Sequence, residues 1–109
     1  MAKRIIWTER FNKSLEYILT CAQDIYTNNT RRKLKAGIRH CESIIADNPL
    51  LGSIERNLEG LDYEYRYFLI RPYFKIIYRN NKDCIIFMEI WDTRRDPSFL
   101  TYNYKILNF

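Results

Sequence analysis

The apolar residues of this chain change period part-way along. Up to residue 45 they recur at spacings of three and four, whereas from Tyr63 onward aromatic and β-branched residues crowd together at spacings of one and two. The first pattern belongs to helices with one buried face, and the second is strand chemistry. Phe11, Leu15, Ile18, Leu19, Ala22, Ile25 and Tyr26 predict a helix over about residues 8–26. Thr8 is its N-cap, and Glu9 lies in the first turn, where the helix dipole favours an acid. Thr27-Asn28-Asn29 breaks the pattern, and Thr30 caps a second helix carrying Leu34, Ile38, Cys41, Ile44 and Ile45. That helix ends at Asp47-Asn48-Pro49, because proline disfavours helical geometry in the residue before it. So short a connection implies an antiparallel helix hairpin.

Lys3 to Trp7 reads as a short strand, and residues 49–62, with Pro49, Gly52 and Gly60, read as a loop. Three strands follow, about Glu64–Ile70, Tyr73–Arg79 and Asp83–Trp91. Turns at Arg71-Pro72 and Asn80-Asn81-Lys82 make them an antiparallel meander. Phe74, Ile76 and Tyr78 point one way in the middle strand, and Lys75, Ile77 and Arg79 the other. In the last strand Cys84, Ile86, Met88 and Ile90 form an apolar set. For the two apolar sets to share a face, residue 76 must oppose residue 86 through an odd loop or a bulge. The hairpin then covers that face and leaves Lys75 and Arg79 on the open one. The expected fold class is α+β: an N-terminal strand at an edge or beside the second strand, a helix hairpin, then a three-stranded meander with the helices on one side. The tail 101–109, with Tyr102, Tyr104 and Ile106 alternating with Asn103, Lys105 and Leu107, is either another short strand or a segment docked on the body.

With 109 residues and no linker-like stretch, the chain is expected to be one domain, 1–109. Its 47% apolar residues suffice for a core, and its 28% charged residues suit a soluble surface rather than a disordered tail. The start, Met1 to Trp7, holds only three large apolar residues before Thr8, too few for a signal peptide. The longest apolar run, Cys84 to Met88, is far short of the roughly 20 residues that cross a bilayer. A cytoplasmic protein without membrane contact is therefore expected. Cys21, Cys41 and Cys84 lack paired spacing, so reduced and mostly buried thiols are expected. Cys41 beside His40 has no third partner for nucleophilic chemistry.

Neither a Gly-rich phosphate loop nor metal-ligand spacing occurs, so no cofactor or metal is expected. The formal charge of +5 favours a polyanion or an acidic protein partner. Two groups of cations stand out. Arg31, Arg32, Lys35 and Arg39 share the polar face of the second helix, which is either a solvated face or a binding surface. In the C-terminal half Arg66, Arg71, Lys75, Arg79, Arg94 and Arg95 interleave with Tyr65, Tyr67, Tyr73, Tyr78 and Trp91. Guanidinium groups fork onto phosphates and aromatic faces stack on unpaired bases, so Arg66, Arg71, Arg79 and Tyr73 are nucleic-acid-binding candidates. Arg94-Arg95 is either an anion clamp at the sheet rim or a turn salt-bridged by Asp92 and Asp96.

The runs Tyr65-Arg66-Tyr67-Phe68-Leu69-Ile70, Pro72-Tyr73-Phe74-Lys75-Ile76-Ile77-Tyr78-Arg79 and Ile85 to Pro97 resemble the C-terminal half of RelE/ParE-superfamily toxins. Trp7-Thr8, the helix hairpin, Asn48-Pro49 and Leu51-Gly52 are also similar, so the resemblance spans about residues 3–100. It implies a toxin of a type II toxin–antitoxin system, neutralised by a cognate antitoxin. RelE-like members cut messenger RNA on the ribosome, and ParE-like members inhibit DNA gyrase. For the ribonuclease branch the resemblance implies Lys75, Arg94 and Arg95 as catalytic candidates, while Arg66 matches a Tyr-Arg pair whose arginine can be structural. Two positions depart from that branch. An arginine expected at the end of the first meander strand falls on Ile70, one residue before Arg71. The C-terminal tyrosine falls near Phe99 or Leu100, and Tyr102 substitutes only if the tail folds back. A different class of function is an interaction module that kept the fold and lost toxicity.

Overall fold

The computed structural model of the chain describes residues 2–106. Its elements run β1 (Arg4–Trp7), α1 (Glu9–Glu16), α2 (Asn28–Asp47), β2 (Ser53–Ile54), β3 (Tyr65–Ile70), β4 (Phe74–Asn80), β5 (Cys84–Asp92) and α3 (Pro97–Lys105). The strands form one sheet in the order β1-β5-β4-β3-β2. The α+β class and the meander β3-β4-β5 match the sequence reading to within a residue at each strand end. β1 lies at an edge and runs parallel to β5, with Arg4 opposite Cys84 and Trp7 opposite Phe87.

The hairpin starts where expected. Thr8 Oγ1 accepts a hydrogen bond from Phe11 N at 3.0 Å, a cap that contributes about 1 kcal/mol. The predicted single helix over 8–26 is broken, however: a π-helical turn follows over Tyr17–Cys21, closed by Ala22 N donating to Tyr17 O at 2.8 Å. Thr27, not Thr30, caps the second helix, accepting from Thr30 N at 3.1 Å. Either threonine has the right chemistry, and sequence alone does not choose between them. Leu34, Ile38, Cys41 and Ile45 form the buried stripe of α2, at spacings of four, three and four. With Phe11, Ile18 and Tyr26 they bury the hairpin face of the sheet, which carries Ile70, Phe74, Ile76, Tyr78, Ile85, Phe87 and Ile90.

The register of β4 on β5 differs from the expectation. Ile76 opposes Ile90, not residue 86, and a bulge at Met88 shifts the ladder so that Tyr78 opposes Phe87. Cys84, Ile86, Met88 and Ile90 therefore do not share a face. Met88 and Ile86 belong with the side away from the hairpin, and Ile85 and Phe87 take their places beneath it. Because β5 is buried on both faces, its sequence is a continuous apolar run in which alternation is unreadable. Past the bulge β1 has ended, and Ile90 N donates instead to Ser14 Oγ of α1 at 3.0 Å.

The face carrying Lys75 and Arg79 is the one away from the hairpin, as predicted, but it is not open. Leu58, Tyr65, Ile77, Met88, Trp91, Leu100 and Tyr104 form a second core there. It is roofed by α3 and by a 3-10 turn at Arg56–Leu58, with Thr101 Oγ1 donating to Asn57 O at 3.1 Å between them. Residues 49–62 thus contain β2 and this turn rather than a featureless loop. Most of the tail is helix, not strand: Asp96 caps α3 by accepting from Ser98 N at 2.9 Å, and Pro97 opens it. The docked alternative fits; Met1 and residues 107–109, Leu107 included, lie outside the described residues. Among those described, no helix is long and apolar enough to cross a membrane.

Candidate functional site

Asp92, the last residue of β5, organises the end of the sheet where the predicted residues Tyr73, Arg94 and Arg95 converge. Its Oδ1 accepts from Arg94 N at 2.9 Å and Arg94 Nε at 3.1 Å, and its Oδ2 from Tyr26 Oη at 2.7 Å and the second arm of Arg94 at 2.8 Å. Burial opposes the Asp92 charge, yet the bonds from Arg94 and Tyr26 together outweigh it and hold the carboxyl below its ordinary value. Burial, and then the Asp92 carboxylate, push the Tyr26 phenol up to about 12. The hydrogen bond to Asp92 raises Arg94 in turn. The Arg94 guanidinium lies 3.6 Å from the Tyr73 ring centroid, and Thr93 pins the same corner by donating through Oγ1 to Tyr73 O at 2.7 Å. The Arg94 half of the pair is therefore the salt-bridged turn of the two readings offered by sequence. Arg95 turns the other way and stacks on Trp91 at 4.2 Å.

The other predicted residues are elsewhere. Lys75 makes an ion pair with Glu55 and stands 4.7 Å over the Tyr67 ring, and both partners are largely shut from water. Arg79 lies 3.9 Å from the Tyr63 ring, with buried Nε and Nη1 that have no hydrogen-bond partner among the described residues. Arg66 ties down the segment before β2, donating to Gly52 O at 2.8 Å and Leu50 O at 3.2 Å, and pairing with Glu64. Gly52 has no room for a side chain there, since a Cβ would meet Tyr67 O at 2.7 Å and overlap the Tyr78 hydroxyl. Arg71 is exposed in the β3–β4 turn, without an ion pair among the described residues. The structure thus brings Tyr73, Arg94 and Arg95 to one end of the sheet, with Arg95 on Trp91, the residue opposite Lys75 in the β4–β5 ladder, while Arg79 and Arg66 lie opposite Tyr65 and Tyr78, towards the other end of β3 and β4.

A cleft of about 620 Å³ opens beside this corner, between α1, the π-helical turn and the end of β5. Ile18, Tyr17 and Ile90 supply its apolar wall, and Arg95 and Lys13 stand in its lining. Its floor holds Glu89, only 4% exposed, whose Oε1 accepts from Arg10 Nε at 3.2 Å. Behind it Tyr104 is buried, and that burial, then Glu89, raises its phenol well above the ordinary value. Each carboxylate lining the cleft is therefore already opposed by a cation: Glu89 by Arg10, Asp92 by Arg94 and Glu9 by Lys13. Such a site suits shape-and-charge recognition better than proton transfer.

Sequence reasoning missed four of these groups. Glu55 sits in a stretch without period, so nothing marked it as buried. Arg10 and Glu89 are far apart in sequence, and only the packing of α1 on β5 joins them. Tyr26 did leave a signal: it is the one hydroxyl-bearing member of the first helix's apolar face. The Cys-His alternative finds no support in the geometry, since burial pushes the Cys41 thiol up to about 12 and His40 turns its ring onto Phe68. Cys21 is exposed rather than buried, and Cys84 half-buried. Among the described residues no cluster of His, Cys, Asp or Glu could hold a metal ion.

Comparison with solved structures finds the chromosomal ParDE toxin–antitoxin system from P. aeruginosa at a TM-score of 0.62. At 13% identity, with 84% of this chain and 96% of that chain covered, this likeness speaks to the fold alone. No curated protein matches. A family model described as the ParE toxin of the type II toxin–antitoxin system parDE matches residues 5–97, from β1 through the start of α3. With most of its length accounted for in this way, the chain belongs to the ParE toxin family of type II toxin–antitoxin systems.

Proposed function

We propose that this toxin acts in the cytoplasm by binding DNA gyrase rather than by cutting messenger RNA, and that a cognate antitoxin neutralises it. The observation that carries this reading is the engagement of two of the three ribonuclease candidates, Lys75 and Arg94; the third, Arg95, is exposed and stacked on Trp91. Lys75 is paired with buried Glu55, and Arg94 is held by Asp92 in a forked pair. A ribonuclease of the RelE kind needs cations free to meet the scissile phosphate and a group able to take a proton. Lys75 faces the second core, and the Tyr26 hydroxyl beside Arg94 is bound to Asp92. Membership of the ParE family supports the same target. What remains accessible is the rim made by Arg71, Arg95 and the cleft, a surface suited to a macromolecular partner.

Two assays on one preparation test it. Purified protein should inhibit supercoiling by purified gyrase, and primer extension on messenger RNA from expressing cells should show no new cuts. Cuts that vanish in Arg95→Ala, with supercoiling untouched, would move the reading to the ribonuclease branch. Unimpaired growth of cells expressing the chain without an antitoxin would instead favour the non-toxic interaction module.

A further inference from the structure

One strongly charged surface plays no part in the site above. The N-terminal two thirds of α2, up to residue 41, carries Arg31, Arg32, Lys33, Lys35 and Arg39 and not one acidic residue. Arg31 folds back onto Gln23 O, Tyr26 O and Asn28 Oδ1, so it serves the hairpin turn. Arg32, Lys33, Lys35 and Arg39 are exposed and make no ion pair among the described residues.

This arrangement works against the helix that carries it. Cations near the N-terminus oppose the helix dipole, and Arg32 and Arg39 each lie within one turn of Lys35, a repulsive spacing. On α1, by contrast, Glu9 pairs with Lys13 at 3.0 Å. The outward face also lacks an apolar seam: Arg32, Ala36, Arg39 and Ser43 run along its centre, flanked by Lys35 and His40, and all are exposed. An amphipathic acidic peptide would need such a seam to gain binding energy. No Phe, Tyr or Trp stands on this helix and the one imidazole, His40, turns its ring onto Phe68, so the helix offers no row of rings for unpaired bases. A repeating phosphate backbone needs neither, because release of its condensed counterions supplies the affinity.

We propose that the exposed face of α2, through Arg32, Lys35 and Arg39, binds the phosphate backbone of double-stranded DNA without sequence preference. Arg32 and Arg39 lie about 10 Å apart along the helix axis at about 1.5 Å per residue, so the stripe lies along a strand or across a groove edge. The surface is separate from the rim assigned to the toxin's target.

Fluorescence anisotropy with a short, labelled, mixed-sequence duplex tests it, with the chain and the DNA alone in the cell. The outcome therefore does not depend on the gyrase reading, and either can fail without the other. The variant Arg32→Gln/Lys35→Gln/Arg39→Gln should lose about tenfold or more in affinity near 0.1 M salt, and its log–log salt slope should fall by about 2 to 3. A charge-matched control, Arg4→Gln/Lys82→Gln/Lys105→Gln, should keep most of both. Circular dichroism should show the stripe variant folded and melting no lower than the parent, since the charges removed oppose the helix. Equal losses in the two variants would overturn the proposal by reducing it to net charge. So would absence of duplex binding by the parent chain, tighter binding to single strands, or equal competition by polyglutamate at matched charge.

Discussion

Replacing Lys75 by Met removes the cation from a carboxylate that is 2% exposed, while the methionine stem fills nearly the same volume. Glu55 then keeps only the two bonds from Asn57, at 3.3 Å from N and 3.0 Å from Nδ2. Stranding one member of a buried pair costs about 3–5 kcal/mol, and loss of the cation over Tyr67 adds about 0.5–1 kcal/mol. Domains of this size have a stability of about 5–15 kcal/mol, so the single variant should lose about a quarter or more of it. At about 4 °C per kcal/mol, its melting temperature should fall by about 12 °C or more. Urea unfolding of the parent, Lys75→Met, Glu55→Gln and the double variant closes a double-mutant cycle. The double variant should recover at least half of the single Lys75→Met loss, because no charge is then left buried. Single losses under about 1 kcal/mol, with no coupling, would refute the reasoning and show a pair open to solvent. They would also return Lys75 to the candidates for chemistry.

Gly37 lets α2 approach β3, and a Cβ there would overlap Ile70 Cγ2 and come within 3.2 Å of Cγ1. Gly37→Ala should therefore destabilise by about 1–3 kcal/mol in urea unfolding, reversing the roughly 1 kcal/mol that alanine gains in an unhindered helix. Tyr26 has a folded pKa raised to about 12 from an ordinary 10, so the stability it contributes is complete below pH 10 and is lost as pH rises toward 12. Ultraviolet-monitored alkaline titration should show this phenol among the last to ionise, and Tyr26→Phe should flatten that part of the stability profile. Asp92 has the opposite sign: its depressed folded pKa gives stability that is present above about pH 4 and lost as pH falls through the folded value. Asp92→Asn should lower stability at neutral pH and flatten the acid limb of urea midpoints against pH. Cys21 should react with a thiol reagent in the native protein, whereas Cys41 should react only as the chain unfolds, as mass spectrometry of timed samples would show.

The parts of the fold legible in sequence were those set by one-sided burial. Leu34, Ile38, Cys41 and Ile45 announce α2 because only one of its faces meets the sheet. β5 has no such asymmetry, so its bulge and true register were hidden in a run apolar on both sides. The helix α3 was within reach of local chemistry: Asp96-Pro97-Ser98 is a cap followed by a first-turn proline, and Leu100 and Tyr104 are four apart. The alternation of Tyr102, Tyr104 and Ile106 imitates a strand, which kept strand and docked segment open as alternatives. At the site, Arg94 with Asp92 was visible because the partners are two residues apart. Glu55 with Lys75 was not, because twenty residues separate them and only the folding of the 3-10 turn over β4 brings them together.

The sheet ends in two short margins: β2, of two residues, on one side, and β1, of four residues including Arg4, on the other. An unpaired strand is a template on which a second chain can add its own backbone, and its capacity scales with its length. Here the two longest strands, β4 and β5, are interior, and β2 covers β3 at Arg66 and Tyr67, so the free amides and carbonyls of the hems are confined to short runs. Copies of this protein that accumulate with no partner bound therefore have little to zip together by, and precipitation through strand addition is disfavoured by the way the sheet is bordered.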